Sequence, residues 1–179
     1  RTSTRLQWMN RVESTLSNDN NNIATSLTKV YTSADLLTAD ANNPTLRAQF
    51  LQAIEEVATG FRTTATQLTD IAQGVTDTAT AEVNLFNGEL QALEEINAGL
   101  RKARAGSTNQ ASLMDRRDQL IDQLSAKGGI NVSFDNRGAA TVRASDSGEL
   151  LLSAGYRAEL SASVSATGLI SYSIDGGTP

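Results

Sequence analysis

Asp115, Asp118 and Asp122 stand at i, i+3 and i+7 in a helical pattern, so three carboxylates share one face, an arrangement able in principle to hold a hard cation. Arg116 and Arg117 lie among them and neutralise the charge, and no ligand-rich loop adjoins them, so the face reads as solvated acid. Asp146-Ser147-Gly148-Glu149 is too short for a calcium loop. No metal or cofactor is expected. Histidine and cysteine are both absent, which removes imidazole bases, thiolate nucleophiles, disulfides and the commonest metal ligands. Serines are plentiful, but none has a histidine to activate it, and the acids fall on exposed helix faces. Catalysis is not expected.

Arg117 is the polar residue with most at stake, because its position between Leu113, Leu120 and Leu124 puts it on the buried seam of its helix. A desolvated guanidinium without a partner costs several kcal/mol. Glu94 or Glu95 on the preceding helix, or a carbonyl in the turn of the following hairpin, are candidate partners, which would make Arg117 a structural tie between helix and β domain; Asp118 beside it is a further tie candidate. The alternative is an arginine whose stem packs while its head reaches water.

These residues hang on one long element. From Leu46 to Leu100 the apolar residues keep a seven-residue phase, with Ile54, Phe61, Leu68 and Val75 on one row and Ala58, Ala65, Ala72, Ala79, Phe86, Leu93 and Leu100 on the next. Spacings alternating near three and four predict a single amphipathic helix over residues 44–105, roughly 85 to 90 Å long at about 1.5 Å per residue. Asn43 can cap it and Pro44 fits its first turn; Gly106 can end it, with Arg101, Lys102 and Arg104 favouring the dipole. Gly60, Gly74 and Gly88 are expected off the seam, and a kink is conceivable near Gly74.

A first helix is predicted over about 4–37 from Met9, Leu16, Ile23, Val30 and Leu37, spaced by seven. Asn20 in its companion row is either a register-setting polar residue or part of a loosely packed polar turn at 18–22 that could break the helix. Thr38 to Asn43 is a short connection, so this helix should lie antiparallel to the long one. A third helix is predicted from Ser112 as cap to Lys127, closed by Gly128-Gly129. The stretch from Val75 to Val83 is then short of cover, and Val75, Ala79 and Val83 become candidate assembly contacts for a segment or subunit not in this sequence. Trp8 is either a partner anchor or ordinary packing.

Past Gly129 the period changes to two: Ile130, Val132 and Phe134 alternate with polar residues, 135–138 makes a turn, and 140–144 returns. Further strands are expected at 149–153, 156–165 and 169–174. The predicted fold is mainly α, an elongated antiparallel helical rod or bundle built on one long helix, with a small antiparallel β domain after it (α+β overall). The helical domain would occupy 1–128 and the β domain, expected to be incomplete, 129–179.

The 179 residues carry a formal net charge of −5 with basic residues scattered, which argues against nucleic-acid binding. No apolar run approaches 18 residues, so no membrane helix is expected. The chain starts at Arg1 without a methionine, suggesting a fragment or processed chain.

Leu113-Met114-Asp115-Arg116-Arg117-Asp118-Gln119-Leu120, followed by Leu124-Ser125 and a hairpin, resembles the Leu-Leu-Asp-x-Arg-Asp-x-Leu stretch of bacterial flagellar hook-associated protein 1. Asn43-Pro44 with Arg47, Phe86-Asn87, and Ile96-Asn97 with Leu100 are similar to that family's Asn-Pro start and repeated apolar-Asn pairs. Together they cover roughly residues 43 to 153. The chain departs in Met114 for leucine and in Gly128-Gly129, where a hydrophobic residue is usual. The resemblance implies a core fragment, lacking both terminal helical regions, of an extracellular structural protein that is exported by the flagellar type III pathway and joins hook to filament. Its implied partners are other copies of itself, the hook protein and the second junction protein, with no nucleic acid and no membrane. A second junction protein, a flagellin-like subunit, or a coiled-coil binding or signalling module are the alternatives.

Overall fold

The computed structural model describes residues 2–17, 23–165 and 169–175. Four helices come first, α1 (Thr2–Leu16), α2 (Ile23–Ala39), α3 (Pro44–Lys102) and α4 (Thr108–Lys127). Six strands follow, β1 (Ile130–Phe134), β2 (Ala140–Ala144), β3 (Leu150–Ser153), β4 (Tyr156–Arg157), β5 (Glu159–Val164) and β6 (Ile170–Asp175). The chain is mainly helical, built on one long helix and completed by small antiparallel sheets. The first helical stretch appears as two described helices, α1 and α2, and the polar run at 18–22, including Asn20, lies outside the described residues.

Two compact units divide at Val75 and Thr76. The boundary expected at Gly128-Gly129 falls inside the second unit, and the reason is its core: Phe86, Leu90 and Leu93 of α3, Leu124 of α4, and Ala140, Val142, Leu151, Leu152 and Ala158 of the β region bury one another. Leu90, Leu93, Leu124 and Leu152 are fully buried, each worth about 1.5–3 kcal/mol of transfer free energy. Helix and strand segments of the second unit thus share one core.

In the first unit α1 and α2 lie back along α3: Ile23 approaches Gly60, Lys29 Nζ donates to Glu56 Oε2 at 3.1 Å, and Trp8 approaches Gly74. The α2–α3 connection is fixed by local chemistry. Asn43 Oδ1 accepts from the amides of Thr45 (3.0 Å) and Leu46 (3.3 Å), an N-cap, and Arg47 Nε donates to Ala41 O at 2.8 Å.

The buried face of α3 in this unit differs from the seven-residue rows. Ala53, Gly60, Thr64 and Ile71 are buried, whereas Ile54 and Phe61 are 43% and 51% exposed. A straight α-helix drifts by about 20° per heptad against a strict seven-residue repeat, so a row kept strictly at seven residues cannot stay on one packing face over the length of α3. Gly60 and Gly74 accordingly sit on the packed side rather than off it, and α3 is continuous through Gly74. The stretch expected to be bare is covered: Ala79 and Val83 are 8% and 7% exposed and Val75 is half-buried.

α4 starts a turn earlier than the sequence suggests. Ser107, not Ser112, is the N-cap, its hydroxyl accepting from the Gln110 amide at 3.2 Å. Its helix closes with the Gly128 amide donating to Leu124 O. Strands β1 to β4 form one antiparallel sheet in that order, and β5–β6 forms a separate two-stranded sheet. The strand expected at 156–165 is split by Ala158, fully buried, whose amide donates to Leu151 O at 2.9 Å.

Gly74 and Gly88 give opposite expectations. A Cβ on Gly74 would lie 2.6 Å from Trp8 Cη2, while one on Gly88 meets nothing within 4 Å. Gly74→Ala should therefore displace the indole, lowering stability by about 1–3 kcal/mol and shifting tryptophan emission. Gly88→Ala should raise stability by about 0.5–1 kcal/mol by chemical denaturation. Equal gains from both would contradict the packing of Trp8.

Candidate functional site

The second unit has one site where polar side chains converge under burial: the face of α3 and α4 that receives the two sheets. A helix interior uses its own backbone groups, so only side chains can bond a strand edge. Asn97, 1% exposed in the buried row of Val83 and Leu90, does this with both ends of its amide. Its Nδ2 donates to Ala140 O at 2.8 Å, and its Oδ1 accepts from the Ala140 amide at 2.7 Å. Ten residues earlier, Asn87 treats Leu160 of β5 alike, with distances of 2.8 and 2.9 Å. Each asparagine thus stands in for a neighbouring strand, one for each sheet.

Arg117 carries a second tie. It is 9% exposed, Nη1 donates to Gly138 O at 2.5 Å, and Nε donates to Asp118 Oδ1 at 2.8 Å. Its guanidinium lies 4.3 Å from the Phe134 ring centroid, a cation–π contact. Gly138 has φ +86, and a Cβ there would come within 2.6 Å of Met114 Cε and 3.0 Å of Arg117 Nη1. Only glycine adopts that turn and leaves room for the guanidinium. Of the partners considered from sequence, the hairpin-turn carbonyl is the one engaged, and the neighbouring Asp118 carboxylate joins it. Glu94 instead accepts from Arg157 Nε at 3.1 Å, and Glu95 is exposed. Phe134, at the end of the alternation that placed it with Ile130 and Val132, is 53% exposed, and its inner contact is the Arg117 guanidinium.

The hairpin turn is tied down at the same end. Asp135 Oδ1 accepts from the amides of Arg137 (2.8 Å) and Ala139 (2.9 Å). Arg137 Nη1 donates to Arg101 O in the last turn of α3, a favourable place for a cation. Gln110 joins the turns, accepting from the Gly106 amide at 2.8 Å and donating to Arg137 O at 3.4 Å. The Ala139 amide, more than any other group, holds the Asp135 carboxyl below its ordinary 3.8; desolvation opposes it, and the Arg137 and Gly138 amides and the Arg101 charge assist. Lys127 at the end of α4 pairs with Glu89 of α3.

Trp8, the other anchor singled out from sequence, packs on Gly74 with the Arg11 guanidinium 5.6 Å from its ring centroid. Asp115, Asp118 and Asp122 are exposed, and among the described residues no group of three or more potential ligands could hold a metal ion. An open depression on α2 is lined mainly by hydroxyl residues, and another between α1 and α3 by Ser14 and Thr15 with Arg11, Gln67, Asp70 and Ile71. Thr15, Thr28 and Thr32 there donate to carbonyls of their own helices, at Arg11, Ala24 and Thr28. The arrangement holds sheets on a helix; it is a clasp. Sequence reasoning recorded the apolar-Asn pairs without their role, although an asparagine within a buried leucine row was a usable signal.

Against known proteins, the family model described as the flagellar hook-associated protein FlgK helical domain matches residues 9–177. Flagellar hook-associated protein 1 of Escherichia coli (strain K12) is 26% identical over 141 residues, 77% of this chain and 26% of that protein. The Salmonella typhimurium protein of the same name is 25% identical over 139 residues, 76% of this chain and 25% of its own length. The chain therefore spans about a quarter of the length of these curated relatives. The flagellar hook junction protein FlgK from Burkholderia pseudomallei has the same fold, with a TM-score of 0.73 at 21% identity over 94% of this chain and 31% of that one. No helix among the described residues is long and apolar enough to cross a membrane.

Asn97→Ala strips partners from both Ala140 backbone groups in a dry setting, so denaturation should report a loss of about 3 kcal/mol; a loss under about 0.5 kcal/mol would contradict the clasp. Asp135 gives a pH expectation. Because its folded value is depressed, its contribution is fully present above the unfolded value and is lost as pH falls through the folded one. The difference in melting temperature between the wild type and Asp135→Ala should accordingly be widest at neutral pH and narrow in strong acid. A difference that widens on acidification would contradict the assignment.

Proposed function

Because this chain belongs to the flagellar hook-associated protein FlgK helical-domain family, a family of structural flagellar proteins, we propose that it forms part of a junction subunit that joins hook to filament by self-assembly through its long helix. The observation that carries this reading is a stripe of large apolar side chains left exposed on α3: Leu51, Ile54 and Phe61, 64%, 43% and 51% exposed and spaced by three and seven. They lie on one side of the helix, beside the face that α1 and α2 occupy. An apolar row of this kind gains free energy when a second helix lies along it, and repetition over many subunits makes a large interface from modest contacts.

The occupants of that row are helices of the assembled flagellum: further copies of the subunit laterally, and hook protein and second junction protein axially. The protein works outside the cell after export through the flagellar type III pathway. The absence of any histidine or cysteine fits a part that performs no chemistry and assembles without disulfides.

The test is a charged pair, Ile54→Glu and Phe61→Glu, placed in the full-length protein. Both residues are about half exposed, so helicity and secretion should persist. Filament attachment and swarming should be lost, with filament protein shed into the medium. Normal filaments and motility would contradict the proposal.

A further inference from the structure

The two asparagine clips hold sheets of unequal security. Asn97 is dry and bonds β2 beside the Arg117–Gly138 tie, within a sheet whose Val142 and Leu152 are fully buried. Asn87 is only part-buried, and it bonds a sheet of two strands. That hairpin packs on the core through its base, Leu160 and Ile174, which pair across the ladder. Farther out, Val164, Leu169 and Tyr172 are 41%, 71% and 63% exposed. A two-stranded hairpin is marginal alone, so its attachment decides whether it stays down. The fully buried Ala158, with its amide on Leu151 O, pins the chain immediately before β5 begins.

We propose that β5–β6 is a strap that opens from α3 as one unit when the Asn87 clip breaks, pivoting at Ala158, while the four-stranded sheet remains closed. The serines on the outer face, opposite to Leu160 and Ile174, hold the strap together as it moves: Ser161 Oγ lies 2.7 Å from Ser173 Oγ and Ser163 Oγ 2.9 Å from Ser171 Oγ, rungs that do not involve α3. Opening removes two hydrogen bonds to helix side chain and the contacts of two partly buried residues, against the whole core for the other sheet.

Native-state amide hydrogen exchange on the 179-residue chain tests this. In the wild type, β5–β6 amides should exchange by a local opening at least tenfold faster than those of β2 and β3. Asn87→Ala should accelerate the β5–β6 amides by about tenfold or more while leaving β1–β4 amides unchanged. Asn87→Asp keeps the acceptor for the Leu160 amide but cannot donate to its carbonyl; it should give a smaller acceleration confined to the same amides, and it serves if the alanine variant does not fold. Equal acceleration of both sheets, or no acceleration of β5–β6 in either variant, would overturn the proposal.

Discussion

A helix cannot pair with a β-strand through its backbone, because every interior amide and carbonyl is committed four residues away. Whatever joins a sheet to the side of a helix must do so through side chains, and a buried strand residue needs both a donor and an acceptor. A primary amide supplies both from one planar group. Asn97 meets Ala140, and Asn87 meets Leu160, in this reciprocal way. The α3 sequence is bound by this requirement: glutamine would reach a methylene too far, aspartate lacks the donor, and leucine would leave two buried backbone groups without partners. Around the clips, the apolar contacts of Phe86, Leu90 and Leu93 with the sheet supply the greater part of the adhesion, while the amides set where along the helix each strand must sit.

The first unit solves a different problem. Its helices meet through small residues, with Gly60 beneath Ile23, Gly74 beneath Trp8, and Ser33 and Thr64 buried. Glycine in a helix costs about 1 kcal/mol relative to alanine, so close approach of the partner helix has to offset it, and at Gly74 the tryptophan ring occupies the space a methyl would need. With small residues turned inward, several of the larger apolar ones of α3 are left on the outside. The same distribution that permits close helix contact therefore supplies the exposed row on which the proposed assembly depends.

The sequence declared the long helix, its capping by Asn43, the shift to β periodicity after Gly129 and the hairpin turn at 135–138, because each is set by local chemistry: period, cap and turn. It misplaced features that depend on three-dimensional summation. The seven-residue rows of α3 rotate off the packing face as drift accumulates, so Ile54 and Phe61 are exposed and Gly60 is buried. Ser112 looked like a cap because Ser107 stands in a loop whose length cannot be judged without Gly106 at φ +74. Arg117 was recognisable as a buried charge in need of a partner, but the choice between two glutamates and a turn carbonyl required the geometry of Gly138. An asparagine in a buried row could be noticed, but what it holds could not: the partners are backbone groups, which every residue has, so no residue type at 140 or 160 announces them.

The central claim is that side-chain amides of α3 are hydrogen-bonded to strand backbones, and scalar couplings transmitted through hydrogen bonds measure that directly. In the isotopically labelled chain, couplings should appear between the side-chain nitrogen of Asn97 and the carbonyl carbon of Ala140, between the amide nitrogen of Ala140 and the side-chain carbonyl carbon of Asn97, and likewise between Asn87 and Leu160. Side-chain amide signals that lack these couplings and exchange with water as freely as those of exposed asparagines would contradict the account.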